Sequence, residues 1–515
     1  MNRVKSASKN IAFGYLGILL TGPLGLILRT YFIRHLGDTL NGVNDWYISI
    51  ISVLSLAELG IGTAMNYSLY APVARGMTEK VKSYMRLYRK AYMIIGCVVA
   101  AMGILISPLL PYLVTMPEGA AGIATSDLTL YYFIFLFNTV STYFMAYKYS
   151  LVNAEQKNYI QSNIITITRM VTILTQIAVV VLTQSFLWYL LSAALIELAQ
   201  KIFANYYLNR MYPYLKDKDV AGLTKEELSL VVTKVKALIL LKVGDVMRIQ
   251  SGAMIITAFI NVKIWGFVSN YNVVINFVAA FVNIALNNVT SSFGNLVATE
   301  SKEKQYLVFR VYRFLACWIY GFVTVGFFVL LTPFVQLWLG EERLLSAMVV
   351  ALILAEFYFK GDRIVLLNFK TAAGVFEADR YLPFVQGLVN IVISLSLVHS
   401  LGLAGVLLGM VISGLLANFI RPAIIYRTCF EMKAVRYFVD LLKYLLVTGT
   451  IMILCHVIGS VILKELGVVT FLLTAVMIAI VFNVVYMIIF WRSEELRYLK
   501  DIVKSRILER SKNGR

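Results

Sequence analysis

Along its 515 residues the chain alternates between long apolar runs and short polar connections, and nowhere does it keep up the apolar–polar alternation of a half-buried strand. Runs long enough for spanning helices lie near 10–34, 44–70, 88–113, 128–150, 159–183 and 186–208. Eight more lie near 237–261, 266–293, 308–339, 345–372, 381–400, 402–427, 437–462 and 467–491. At roughly 20 residues per crossing, these predict an all-α polytopic membrane protein of about fourteen helices. A membrane barrel is excluded because its strands would be short and alternating. Between the sixth and seventh runs, residues 213–236 contain Lys-Asp-Lys-Asp and Leu-Thr-Lys-Glu-Glu-Leu, which predicts a polar linker with a short amphipathic helix.

A second pattern lies over the first. Residues 42–89 and 266–313 align without a gap at an offset of 224 and share eleven residues, among them Gly42 with Gly266, Tyr47 with Tyr271, Tyr88 with Tyr312 and Arg89 with Arg313. A repeat of this length in a membrane protein predicts two halves that move against each other around a site between them. Six spans separate the copies, and an even number preserves orientation. The repeat is therefore expected to be parallel, with its axis along the membrane normal, and the last two spans to be an appended pair.

Composition narrows the class. The chain is 59% hydrophobic and only 15% charged, with a mean hydropathy of +0.77, which no soluble globule tolerates. The net charge of +19 does not point to nucleic acid, because the cations cluster between apolar runs. Arg75, Lys80, Lys82, Arg86, Lys216, Lys218, Lys302, Lys304, Arg427, Lys433 and Arg436 all fall in connections on one side, which should be the cytoplasmic one, with both termini there. The first apolar run is too long for the core of a cleaved signal and is expected to remain as the first span. Four cysteines without paired spacing and three scattered histidines suggest neither a disulfide framework nor a metal centre, and no phosphate-binding glycine loop is present.

Charges inside apolar helices are costly and mark the candidate chemistry. Span one places Gly14, Thr21, Gly25 and Arg29 on one face, with a bend expected at Pro23. Span five buries Arg169 beside Ser162, Thr166, Thr172 and Gln176, with no acidic neighbour in its own helix, so it needs a partner or an anionic ligand. Span seven repeats Lys242, Asp245 and Arg248 every third residue, and span ten holds Lys360, Asp362 and Arg363. The arginine excess suits a phosphate or diphosphate headgroup. Span eight carries Asn272, Asn276, Asn283 and Asn287, amides that suit a hydroxyl-rich ligand or interhelical hydrogen bonds. Glu58, Asp245 and Asp362 are the ion-coupling candidates, Glu58 first because it lies with Ser52, Ser55, Gly62 and Asn66 on one face.

The stretches Ala57-Glu58-Leu59-Gly60-Ile61-Gly62-Thr63-Ala64, Tyr67-Ser68-Leu69-Tyr70 and Leu87-Tyr88-Arg89-Lys90 carry a family resemblance. So do Asp379-Arg380-Tyr381-Leu382-Pro383, Gly402-Leu403-Ala404-Gly405-Val406 and Arg421-Pro422 followed by Tyr426 and Phe430. The sequence resembles the polysaccharide transporters, the oligosaccharide-lipid flippases of the multidrug/oligosaccharidyl-lipid/polysaccharide exporter superfamily, over nearly its whole length. The resemblance implies two six-helix lobes around a central cavity, here 1–212 and 237–430, with helices thirteen and fourteen over 431–491 and a basic tail over 492–515. It further implies an undecaprenyl-diphosphate-linked oligosaccharide, such as an O-antigen, capsule or exopolysaccharide unit, moved outward across the bacterial cytoplasmic membrane. The family's preference for basic cavity positions falls on spans one, five, seven and ten. No cofactor is expected beyond a proton or sodium gradient, and the expected partners are the lipid-linked glycan, the bilayer and polysaccharide-assembly proteins. A drug or other lipid-precursor exporter of the same superfamily is the alternative, but a drug exporter needs acids where this chain has arginines. A membrane glycan polymerase or ligase would need a larger outward catalytic loop than 111–127, so no enzyme is expected.

Overall fold

A computed structural model describes residues 3–58, 61–117, 123–217, 220–287, 293, 296–297, 299–375, 377–501 and 504. The regular structure within them is helical. The long helices are α1 (Arg3–Leu54), α2 (Ile61–Ala74), α3 (Thr78–Ile106), α4 (Thr125–Ala154), α5 (Asn158–Thr183), α6 (Phe186–Met211) and α7 (Lys225–Phe259). They continue with α8 (Val262–Asn287), α9 (Lys302–Leu339), α10 (Ala347–Ala372), α11 (Leu382–Leu401), α12 (Leu403–Cys429), α13 (Val435–Ile462) and α14 (Val468–Phe490). Among the described residues eleven helices are long and apolar enough to cross a membrane. Two more, α7 with Lys242, Asp245 and Arg248 and α10 with Glu356, Lys360, Asp362 and Arg363, fall short only through their charges. With α1 counted as two crossings, the expected fourteen are reached. Leu59 and Gly60 of the resemblance motif, Lys218 of the linker, and nearly all of the basic tail beyond 501 lie outside the described residues.

The break in α1 differs from the expectation. The helix runs through Pro23 and breaks at Gly37, whose φ of 85° and ψ of 169° no other residue type adopts readily. A proline removes one hydrogen bond, which a membrane helix absorbs, whereas a left-handed residue redirects the chain. The second segment, 38–54, passes through the 3-10 turn Ser55–Glu58 towards α2. The linker differs too. The helix expected to be short begins at a capping box, where Thr224 Oγ1 accepts from the Glu227 amide at 3.3 Å and Glu227 accepts from the Thr224 amide at 3.2 Å. It then continues as the 35-residue α7. Ser83 and Arg86 of α3 hold the preceding linker by donating to the carbonyls of Ala221 at 2.7 Å and Val220 at 2.9 Å.

The offset of 224 is visible in the backbone. Gly37 maps to Asn261, where α7 gives way to α8, and the α3 start at Thr78 maps to the α9 start at Lys302. The repeat glycines also meet. A Cβ on Gly42 would lie 2.0 Å from the Val262 carbonyl oxygen, and one on Gly266 would lie 3.1 Å from the Asp38 carbonyl oxygen. Gly42 with Val262 and Gly266 with Asp38 exchange under the offset, so this is an isologous contact, as at a two-fold axis. Small residues allow the backbones to approach this closely.

By Cα proximity the chain forms two units, one of Met1–Phe277 with Arg380–Val406 and the other of Val278–Asp379 with Leu407–Arg515. In the first, Trp46, Tyr47, Tyr88 and Tyr132 form a fully buried aromatic core. The three tyrosine hydroxyls are satisfied by backbone, as where Tyr47 donates to the Leu128 carbonyl at 2.6 Å and Tyr132 to that of Gly103 at 3.0 Å. Within this unit Gly244 of α7 packs on the backbone of Pro383 and Phe384, which locks α7 against α11. In the second, α13 and α14 pack on α9 through Phe314, Cys317, Val325, Ile451, Phe482 and Tyr486.

Candidate functional site

In the first unit the polar groups gather around Arg29 of α1. Thr21 and Thr30 satisfy their hydroxyls on the carbonyls of Gly17 and Leu26, one turn back, and so demand no external partner. A guanidinium cannot do this. Arg29 donates Nε to Asn270 Oδ1 at 2.8 Å and Nη2 to Asp45 Oδ2 at 2.6 Å, with Arg29 11% and Asp45 12% exposed. Asn44 donates to the other Asp45 oxygen at 3.2 Å, and Asn41 donates to Asn270 Oδ1 at 3.4 Å. The break at Gly37 brings this together, because it turns 38–54 back towards the first segment and sets Asp45 opposite Arg29. Among the described residues the amide nitrogen of the fully buried Asn270 has no hydrogen-bond partner. The cluster thus couples a cation and a spare N–H donor to one carboxylate, a set that can exchange that carboxylate for an anionic ligand.

The other sequence candidates are more dispersed. Arg169 is exposed on α5 rather than buried, and no carboxylate among the described residues pairs with it, while Thr172 and Gln176 on the same helix are buried. Lys242 and Arg248 are half-buried on α7 and Asp245 is exposed, beside the face that Asn390 joins by donating to the Arg248 carbonyl at 3.0 Å and Ser251 Oγ at 2.7 Å. Glu58 is half-buried and accepts from the Tyr92 hydroxyl at 3.2 Å. Asn272 is half-buried and Asn276 exposed.

The second unit holds the rest. Asp362 accepts from Arg313 Nε at 3.0 Å, from Asn418 at 3.2 Å and from the Tyr437 hydroxyl, and the Arg313 guanidinium lies 3.5 Å from the centre of the Tyr437 ring. Arg363 pairs with Glu356 and donates to Asn418 at 3.2 Å. Lys360 is half-buried. Asn283 accepts from the Tyr320 hydroxyl at 2.9 Å and Asn287 from Asn368 at 3.1 Å, so these two amides serve interhelical bonds. Asp379 and Arg421 of the resemblance motif form an ion pair of 2.9 Å in which Lys370 joins, and Tyr426 and Phe430 pack with Phe309.

Sequence reasoning missed Asp45, whose signal was a lone carboxylate inside an apolar run. It also missed two buried lysines. Lys148 of α4 is 4% exposed and is held by the amides of Asn205 and Asn209. Lys201 of α6 donates to the Asn138 carbonyl and side chain, both at 2.6 Å. Both pair α4 with α6 through neutral acceptors, and at Lys201 the same Asn138 also donates to Glu197 at 2.6 Å, which brings a carboxylate near that cation.

These helices build a fold shared with a lipid II flippase and with MATE transporters. Among solved structures the chain is similar to the lipid II flippase MurJ in an inward closed conformation, at 13% identity and a TM-score of 0.63, over 93% of this chain and 98% of that one. It is also similar to an inward-facing multidrug resistance MATE family transporter, at 14% identity and 0.59, over 79% and 96%. A MATE transporter of Vibrio cholerae matches at 14% and 0.56, over 84% and 99%. No family model and no curated protein matches the sequence.

Proposed function

We propose that the chain is a flippase that carries an undecaprenyl-diphosphate-linked oligosaccharide from the inner to the outer leaflet of a bacterial cytoplasmic membrane. On this reading residues 1–212 and 237–430 are the rocking lobes, the basic loops and both termini are cytoplasmic, and the lipid tail stays in the bilayer while the headgroup crosses. The observation that carries it is the Arg29 cluster, a cation with a spare buried amide donor beside the contact of the two repeat glycines. A diphosphate would compete with Asp45 for Arg29 and take up the spare Asn270 amide. Arg169, Lys242, Arg248, Lys360 and Arg363 are further cationic candidates along the path, and Asn272 and Asn276 are candidates for glycan hydroxyls. The greater coverage by the lipid II flippase than by the MATE transporters supports a lipid-linked cargo over a drug.

Depletion of the protein should make one lipid-linked oligosaccharide accumulate in the cytoplasmic leaflet, measured by leaflet-selective labelling. Arg29→Gln should give the same accumulation at normal membrane abundance. Drug sensitivity without lipid-linked glycan would refute the assignment.

A further inference from the structure

The two copies of the repeat leave the same helix face in opposite circumstances. In the second unit, α9 lies under α13 and α14 along Arg310, Trp318, Phe322 and Val329. Arg310 pairs with Glu494 at 2.8 Å and with Glu495. Trp318 stacks on Tyr486 with ring centres 5.2 Å apart and donates to Asn483 at 2.9 Å, while Phe322 meets Phe482 at 5.6 Å. The offset of 224, anchored by the equivalent helix starts at Thr78 and Lys302, maps these four residues onto Arg86, Ile94, Val98 and Leu105 of α3. All four are exposed, Ile94 by 64% and Leu105 by 75%.

Arg89 and Lys90 lie exposed at the polar end of the same face. Among the described residues no carboxylate pairs with Arg86, Arg89 or Lys90, and Arg86 has the Val220 carbonyl as its acceptor. Lys148 and Lys216 sit close by and add to the positive field. Where the second copy has Glu494 and Glu495 on its arginine, no carboxylate among the described residues neutralises these three cations. An anion belongs there.

The apolar part of the face says which anion. Docking of α13 and α14 relies on the aromatic rings of Trp318 and Phe322 and on Gly321, where a Cβ would come within 3.1 Å of Thr448. The α3 counterparts are Ile94, Val98 and Cys97, which offer neither rings nor a close approach for a second helix. They suit a flexible acyl chain. From Met93 to Met102 the helix rises about 14 Å, about one leaflet of a hydrocarbon core some 30 Å thick.

We propose that this face of α3 is a site for an anionic phospholipid of the leaflet bordering the basic loops, its phosphate held by Arg86, Arg89 and Lys90 and an acyl chain laid along Ile94, Val98 and Met102. The phosphate takes the place that the Glu494 and Glu495 carboxylates take on Arg310.

Cys97 is exposed at the centre of the face, while Cys317 and Cys455 are buried. In a Cys429→Ser background it can carry a bimane label on the full-length protein, reconstituted in phosphatidylethanolamine vesicles with acyl-brominated phosphatidylglycerol or phosphatidylcholine. Quenching should favour phosphatidylglycerol by about fivefold per cation, reach parity in the Arg86→Gln, Arg89→Gln, Lys90→Gln variant, and weaken with salt. Equal quenching by the two lipids in the wild-type chain overturns the site. So does a preference unaffected by salt, which decides the matter even when the triple variant does not fold. Absence of quenching by either lipid, together with a dimer in solution or a retained protein partner, means that protein covers this face and also overturns it.

Discussion

Substituting the two repeat glycines separately tests the close approach at Gly42 and Gly266. A Cβ on Gly42 would stand 2.0 Å from a backbone oxygen, about 1.4 Å short of ordinary contact, and no side-chain rotation relieves it. Overpacking of this kind costs about 1–3 kcal/mol, at the upper end when backbone must move. Against that, alanine in a helix interior gains about 1 kcal/mol over glycine. Gly42→Ala should therefore destabilise by about 1–2 kcal/mol. At Gly266 the nearest atom is 3.1 Å away and the neighbour needs to give only a few tenths of an ångström. Gly266→Ala should be neutral within about 0.5 kcal/mol, since the helical gain offsets the strain. Thermal unfolding in detergent, read by a thiol-reactive dye at the buried Cys317 and Cys455 with Cys97 and Cys429 replaced, reports both. Equal losses, or a larger loss at Gly266, would refute the asymmetric crossing.

The repeat arginines should diverge in the same assay. Arg313 and Asp362 are only 3% and 2% exposed, so Arg313→Ala, which strands the carboxylate, should cost about 3–5 kcal/mol, whereas Arg89→Ala at the exposed equivalent should stay within about 0.5 kcal/mol; similar losses at both positions contradict the pairing. The start of α7 should be pH-sensitive. Lys80 at 2.5 Å, and after it the Thr224 backbone amide, hold the Glu227 carboxyl below its ordinary value of 4.5, so its contribution is present above that pH and is lost as pH falls through the lower folded value. Amide-exchange protection over 225–228, normalised to intrinsic rates, should fall in that window, and Glu227→Gln should abolish the step. A step that persists in Glu227→Gln would place its origin in another group.

The helices were legible because hydrophobic length alone specifies a spanning helix. What periodicity cannot supply is a local φ. Pro23 drew attention as the usual breaker, yet the chain turns at Gly37, one glycine among 32. The offset already held the answer, since position 37 maps onto the junction between two separate runs, Asn261. The linker helix was misjudged in length because Lys234, Lys236 and Lys242 lower the apolar signal across a segment that the capping box and the packing of Gly244 on α11 hold as one helix. Charged residues were found by type but not by partner. Arg29 and Asp45 are 16 residues apart and meet only because of the break at Gly37, and Arg313 is marked in the sequence only as the repeat equivalent of Arg89, while its partner Asp362 lies 49 residues away.

Identity under the repeat does not imply equal roles. Tyr88 and Tyr312 both bury their rings and donate to a carbonyl of the preceding segment, Met65 at 3.3 Å and Leu286 at 2.9 Å, so that pair keeps one job in both copies. Arg89 and Arg313 do not. The added α13 supplies Tyr437 to the second arginine and the segment after α14 supplies Glu494 and Glu495 to Arg310, which converts surface cations into buried anchors. The covering segments bring partners with them, the Tyr437 ring and carbonyl to Arg313 and two carboxylates to Arg310, because an unpaired buried guanidinium would cost more than the new apolar contact gains. On the equivalent face of α3 no such segment lies among the described residues, and Arg86 and Arg89 stay exposed. Its arginines are therefore free for an anion that comes and goes, while those of the second copy are committed to structure.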